Sequence, residues 1–321
     1  MTIVEYDHSK HDEWNLFVKS SKSPLFMFDR NFMEYHSDRF IDASLMFYQN
    51  DEVMAVLPAT LHGDEVRSHG GLTYGGLICS PKIRQQQVLE IFQDLTSHLA
   101  SKEIKSLLYK NIPYIFHRIP SQEDLYGLFI SGARIEKVEP SCVIEFQPAN
   151  GDSILKANRG RKAHISRARR EGVSVENSED FESFIALQNK VLMERHNTVA
   201  VHTAEELKLL HERFPDNIRC IVARYDSRII AGTVLFIYDD TVHAQYLATD
   251  ETGRRIGALD LVIWTLLEEY KQSKHFFDFG ISTENGGLYL NEGLISQKES
   301  FGGRTVAYTT WRLDLQNEGC V

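Results

Sequence analysis

Apolar positions recur along this chain with two periods, and the places where one period gives way to the other outline its elements. Alternation over Thr2–Tyr6 predicts a strand, and Trp14, Phe17 and Val18 mark the apolar side of a helix over His8–Val18. Ser23-Pro24 breaks the chain, and the Phe- and Met-rich run Leu25–Met33 reads as core around a short helix. Ala43–Gln49 and Glu52–Ala59 read as strands joined at Asn50-Asp51, a hairpin signal. His62-Gly63-Asp64 marks a second turn before a strand that starts at Val66, and the glycine-rich run from Gly70 to Gly76 reads as a loop. Pro81 opens a helix to about Ser101 with Val88, Ile91, Leu95 and Leu99 on one face. A strand at Lys105–Tyr109, a helix at Ser121–Ser131 and a long strand at Ala133–Phe146 follow. Pro148-Ala149-Asn150-Gly151 is the candidate linker.

The second half starts with a helix over Leu155–Gly172, then a short strand at Val173–Glu176. Phe181, Phe184, Leu187 and Val191 face inward from a helix over Glu179–His196, and Thr203 with Glu206 three residues on caps another to Phe214. Ile218–Tyr225, Arg228–Tyr238 and Thr241–Thr249 read as strands with tight turns at Asp226-Ser227 and Asp239-Asp240. An apolar-faced helix over Gly257–Gln272, a buried strand at His275–Phe279, a short helix at Leu294–Phe301 and a strand at Arg304–Leu313 complete the chain. The tight turns of the two halves fall at constant separation, and the order strand, hairpin, strand, helix, strand recurs. This predicts a structural duplication: α+β in each half, a mostly antiparallel sheet with one parallel crossover. The expected domains are 1–147 and 152–315, with a tail at 316–321.

Charge is distributed unevenly. The chain has 35 Lys+Arg against 45 Asp+Glu. Leu155–Val173 alone holds Lys156, Arg159, Arg161, Lys162, Arg167, Arg169 and Arg170 against the single acid Glu171, so the rest of the chain retains 28 cations against 44 anions. The residue types favour a helix, Gly172 stops it, and Arg159, Lys162, Ser166 and Arg169 share a face. That face is either a solvated helix surface or a seat for an anionic ligand. A net charge of −10 argues against broad nucleic-acid binding. No apolar run approaches a membrane span, and no secretory signal is readable at the N-terminus. Cys79, Cys142, Cys220 and Cys320 lie far apart without metal-ligand spacing, which fits reduced thiols and a cytoplasmic location better than disulfides or zinc. No metal is expected.

Four motifs occur in order: the basic helix R-x-x-H-I-x-R-A-R-R-E-G-V, a Phe-led helix containing V-L-M-E-R, then F-D-F-G, then K-E-S-F-G-G. Together they resemble the Fem family, FemX-type peptidoglycan-bridge aminoacyl transferases built from two GNAT-like domains, and the wider group of bacterial acyltransferase-like proteins of surface-polysaccharide pathways. The resemblance covers roughly residues 1–313 and implies two tandem GNAT-like domains. It also implies site residues. Arg254-Arg255-Ile256-Gly257-Ala258-Leu259 stands where GNAT proteins hold R/Q-x-x-G-x-G/A, whose backbone N–H groups bind the coenzyme A diphosphate. Leu259 departs from the last small position. Gln297-Lys298-Glu299-Ser300-Phe301-Gly302 is similar to the family's F-K-x-x-F-G, with Gln297 replacing phenylalanine, and implies that Lys298 stabilises charge on an acyl carbonyl. Arg195 is implied as a ligand for an acceptor phosphate, alongside Arg159 and Lys162, and Tyr246 as a cleft residue. His243 and Tyr246 point to opposite faces unless their strand bulges. Asp278, a carboxylate among three phenylalanines, is either a general base or a structural acceptor for backbone N–H groups and a cation of the basic helix. Cys142 and Cys220 read as core.

These readings converge on an N-acyltransferase with no permanently bound cofactor. It would use acyl-CoA as cosubstrate and an amine acceptor such as a nucleotide- or lipid-linked amino sugar. The second half would hold the donor. The alternatives are an aminoacyl-tRNA-dependent transferase and a non-catalytic binding module on the same fold.

Overall fold

The computed structural model describes residues 1–146 and 157–315, and of Arg195 and His196 the backbone alone. The expected linker, Lys156 and the tail with Cys320 lie outside these residues. The chain forms two compact units. The first is Met1–Glu139 with Asn285–Gly287 and the chain from Ala307 on; the second is Pro140–Glu284 with Leu288–Val306. The last strand was expected wholly in the second half, and its residues from Ala307 instead belong to the first unit.

The first unit runs β1 (Thr2–Glu5), α1 (His11–Ser20), α2 (Arg30–Met33), β2 (Ile41–Asp42), β3 (Leu45–Gln49), β4 (Glu52–Leu57), β5 (Thr60–His62), β6 (Glu65–Arg67), β7 (Ile78–Cys79), α3 (Gln85–Ser101), β8 (Ser106–Lys110) and α4 (Glu123–Ile130), then enters β9 (Arg134–Glu145). Asn50 and Asp51 both adopt left-handed φ, 51° and 62°, as the hairpin turn between β3 and β4 requires. The expected strand Glu52–Ala59 ends at Leu57, because Pro58 interrupts it, and β5 starts a new pairing with β6. β6 and β8 pair in parallel on either side of α3. The core gathers Phe47, Leu57, Val88, Ile91, Phe92 and Leu95, so the predicted face of α3 is the buried one.

The second unit holds α5 (Arg159–Arg170), β10 (Ser174–Ser178), α6 (Phe181–His196), α7 (Ala204–Arg213), β11 (Ile218–Tyr225), β12 (Arg228–Ile237), β13 (Thr241–Thr249), α8 (Glu251–Ile256), α9 (Ala258–Tyr270), β14 (Phe276–Ile281), β15 (Thr283–Glu284), β16 (Tyr289–Leu290), α10 (Glu292–Glu299) and the start of β17 (Arg304–Asp314). Its sheet order is β10-β11-β12-β13-β14-β9; every pair is antiparallel except β13–β14, which brackets the α9 crossover. Each unit thus contains one parallel crossover, as the turn spacing predicted. Among the described residues no helix is long and apolar enough to cross a membrane.

Two local features position the site. Asn158 caps α5 by accepting from the Arg161 N–H, and Gly172 at φ 81° ends it. Ile165 and Ala168 drive one side of α5 into the core against α9, which leaves Arg159, Lys162, Ser166 and Arg169 exposed on the other. The helix therefore starts later than the composition of Leu155–Gly172 suggested. α8 was not foreseen, since it is short and contains Gly253, a poor helix former. Asp250 caps it, and a side chain at Gly253 would come within 2.5 Å of the Ile230 carbonyl and the Thr249 hydroxyl.

Candidate active site

β13 and β14 pair at only three positions, Thr241–His243 against Phe276–Asp278. Beyond them the strands part. β13 bulges at Gln245, so that Ala244 faces Leu235 and Tyr246 faces Val234. β14 reaches Gly280 in the left-handed region, φ 76°. A cavity of about 200 Å³ occupies the gap. Leu247, Thr249 and Phe279 line it from the strands, and Leu259, Asp260 and Ile263 from α9. Arg161 and His164 reach it from α5, Gly253 and Arg254 from α8, and Leu294, Gln297 and Lys298 from α10. An apolar slot with a few convergent polar groups is the usual form of a small-molecule site. Two larger surface depressions, of about 540 and 530 Å³, have no more than one lysine or arginine between them on their walls.

The expected residues separate. Lys298 is 4% exposed and is no surface lysine. Its ammonium donates to the Gly280 and Ile281 carbonyls and to the Ser282 hydroxyl, at 2.8, 2.7 and 2.9 Å. Burial pulls it down to about 8, against the opposing pull of Asp278. Of the expected donor-binding residues, Arg254 and Gly257 line the cavity. Arg255 and Ala258 do not: the Arg255 side chain is exposed and its carbonyl accepts from Arg167 at 2.8 Å, while Ala258 is buried in the core. Arg159 and Lys162 are exposed and also absent from the cavity wall, so α5 offers Arg161 and His164 instead. Arg195 lies in the last turn of α6, and its side chain is outside the described atoms.

Tyr246 is not on the cavity wall either. The bulge shifts the strand by one residue, so His243 and Tyr246 lie opposite Phe236 and Val234, two residues apart on β12, and share a face after all. The Tyr246 hydroxyl sits 2.6 Å from His202 Nδ1 and accepts from the His202 N–H; burial raises its pKa. Asp278 is fully buried and is not part of the cavity wall. It accepts from the Ser141 hydroxyl and from the Gly280 N–H at 2.9 Å, and its other oxygen lies 2.6 Å from His243 Nδ1. The structural role is therefore the one its contacts describe, though the histidine takes the place expected for a cation of the basic helix. Cys142 and Cys220 are buried, and burial lifts both thiols to about 12, as fits core residues.

The group that sequence reasoning missed is Asp260 with its two partners. Both its oxygens lie 2.9 Å from Arg161 Nη1, and one is 2.8 Å from His164 Nδ1. Arg161 also donates through Nε to the Ser300 hydroxyl at 2.7 Å. A signal was present: Asp260 is the lone acid in the apolar run Ala258–Trp264, and Arg161 and His164 stand three apart on the side of α5 that carries Ile165 and Ala168. Gly257, at φ 87°, joins α8 to α9 with its backbone against α5; a Cβ there would meet the Cβ and carbonyl oxygen of His164 at 2.8 Å. Gly257→Ala should therefore cost about 2 kcal/mol, read as a lower urea midpoint with an unchanged slope.

Residues 158–286 match the acetyltransferase (GNAT) domain family. Among solved structures, FemX superposes with a TM-score of 0.68 at 10% identity, over 98% of this chain and 97% of that one. L-PGS from Bacillus licheniformis gives 0.63 at 15%, over 98% and 94%. A tandem GNAT protein from the clavulanic acid biosynthesis pathway gives 0.55 at 10%, over 99% of both. No curated protein matches by sequence. The second unit thus carries a GNAT-type domain. The whole chain has the tandem GNAT fold of the Fem-type group, as its motifs implied.

Proposed function

We propose that this protein is an acyltransferase that passes an acyl or aminoacyl group from a thioester or ester donor to an amine. The cavity between the parted strands β13 and β14 carries the reading: it offers an apolar slot between Leu247 and Phe279 beside a wall of Arg161, His164, Arg254 and Lys298. The acyl chain would lie in the slot with its carbonyl toward that wall. The amine nitrogen attacks the carbonyl carbon, a C–N bond forms, the C–S or C–O bond breaks, and the amine proton ends on the leaving sulfur or oxygen. Negative charge grows on the carbonyl oxygen meanwhile, and fixed cations in a poorly solvated site stabilise it. Lys298 would act as a held positive charge, since its N–H groups are already committed to three acceptors. The acceptor we favour is a nucleotide- or lipid-linked amino sugar, with Arg195 at its phosphate. That commitment of Lys298 also suits a second reading, a binding module without chemistry.

Incubating the protein with acyl thioesters and aminoacyl esters and a panel of amino sugars should give amide products detectable by mass. Leu247→Trp fills the slot and should lower transfer at least about 100-fold while the circular dichroism spectrum stays unchanged. Ligand binding without any product would favour the module instead.

A further inference from the structure

The first turn of a helix is a ready anion seat, because its N–H groups and the helix dipole both favour negative charge. In α9 that turn already carries a buried carboxylate of its own. Asp260, the third residue of the helix, is buried, and its carboxylate engages Arg161 and His164. α5 lies directly on the turn: the space a Cβ at Gly257 would need is filled by His164, and Arg167 closes over the Arg255 carbonyl. Every residue from Ile256 to Asp260 is buried. A diphosphate brought to this turn would meet a buried carboxylate at short range, where like charges repel strongly, and would have to displace it from Arg161 and His164.

We infer that Asp260 closes the first turn of α9 to anionic ligands, so that the donor is recognised by its acyl end and not through a diphosphate. Asp260 is then a specificity-determining residue. This rests on the acyltransfer reading of the same cavity, and it replaces the expected role of Arg254, Arg255, Gly257 and Ala258 as diphosphate ligands. Nothing in α5 suggests that it lifts: Ile165 and Ala168 anchor it in the core of the unit.

Acetyl and glycyl groups, each presented on coenzyme A and on pantetheine, which lacks the diphosphate, separate the possibilities. Wild-type kcat/KM should agree within about tenfold between the two carriers, and titration with free coenzyme A should show no binding below about millimolar. Asp260→Asn keeps the shape of the side chain and removes its charge, and should shift the ratio toward coenzyme A by at least fivefold. A wild-type preference for coenzyme A above tenfold, or submillimolar binding of the free coenzyme, overturns the inference. An unchanged ratio in Asp260→Asn removes Asp260 as its cause. The titration needs no turnover, so it reads the seat even if no donor transfers, an outcome that would sink the acyltransfer reading instead.

Discussion

Alanine in place of Asp278 should cost the second unit about 4 kcal/mol. The substitution takes the acceptor from the Ser141 hydroxyl and the Gly280 N–H in a fully buried site and removes the carboxylate beside His243. A buried donor left without its acceptor costs about 1–3 kcal/mol, and this substitution takes the acceptor from two such donors. Asparagine retains one acceptor oxygen and should lose about half as much. Urea unfolding of the two variants checks the ordering, which distinguishes a structural carboxylate from a general base. A general base would lose its rate in Asp278→Asn with stability intact. Both variants unfolding within about 1 kcal/mol of wild type would remove the structural assignment.

Lys298→Met should lower the thermal midpoint by about 6–12 °C, equivalent to about 3 kcal/mol in a unit of this size. Methionine fills the volume but leaves the Gly280 and Ile281 carbonyls and the Ser282 hydroxyl without their donor. Transfer should fall with it, by about 10²–10³ in rate if the ammonium stabilises the developing oxyanion, with binding little changed. The pH dependence has a definite sign. Burial lowers Lys298 from 10.5 to about 8, so between these values the unfolded chain holds more protons than the folded one. Stability contributed by this site therefore rises with pH across the window from about 8 to 10.5, by up to about 3 kcal/mol, and is level below it. The difference between wild type and Lys298→Met should widen over that window. A difference that stays flat would mean that the lysine keeps its ordinary affinity for protons.

The candidate site divides by what fixes each residue's place. Lys298, Arg254 and Gly257 were found by motif, because a motif records residues whose local chain geometry recurs. Arg161, His164 and Asp260 meet only because α5 and α9 pack together, and their separation in the chain gives no hint of it. Arg159 and Lys162 were chosen from the same helix because charge density alone does not show which side the core claims. That choice was made by Ile165 and Ala168. Tyr246 depended on a bulge: one extra residue at Gln245 reverses the inward and outward sense of everything after it on β13, and no turn residue announces it.

By itself the sequence determined the order of the longer elements, the hairpin turns, the cap of α7 and the duplication. These follow from local backbone preferences and from apolar periodicity, which act over a few residues. Only the tertiary structure decided where β13 and β14 part and that Lys298 is buried. It likewise decided that Asp278 is enclosed by Ser141 and His243, and that Asp260 meets Arg161 and His164. Each of these depends on contacts between residues 16 to 137 positions apart, whose energies exist only once the sheet and its covering helices have closed.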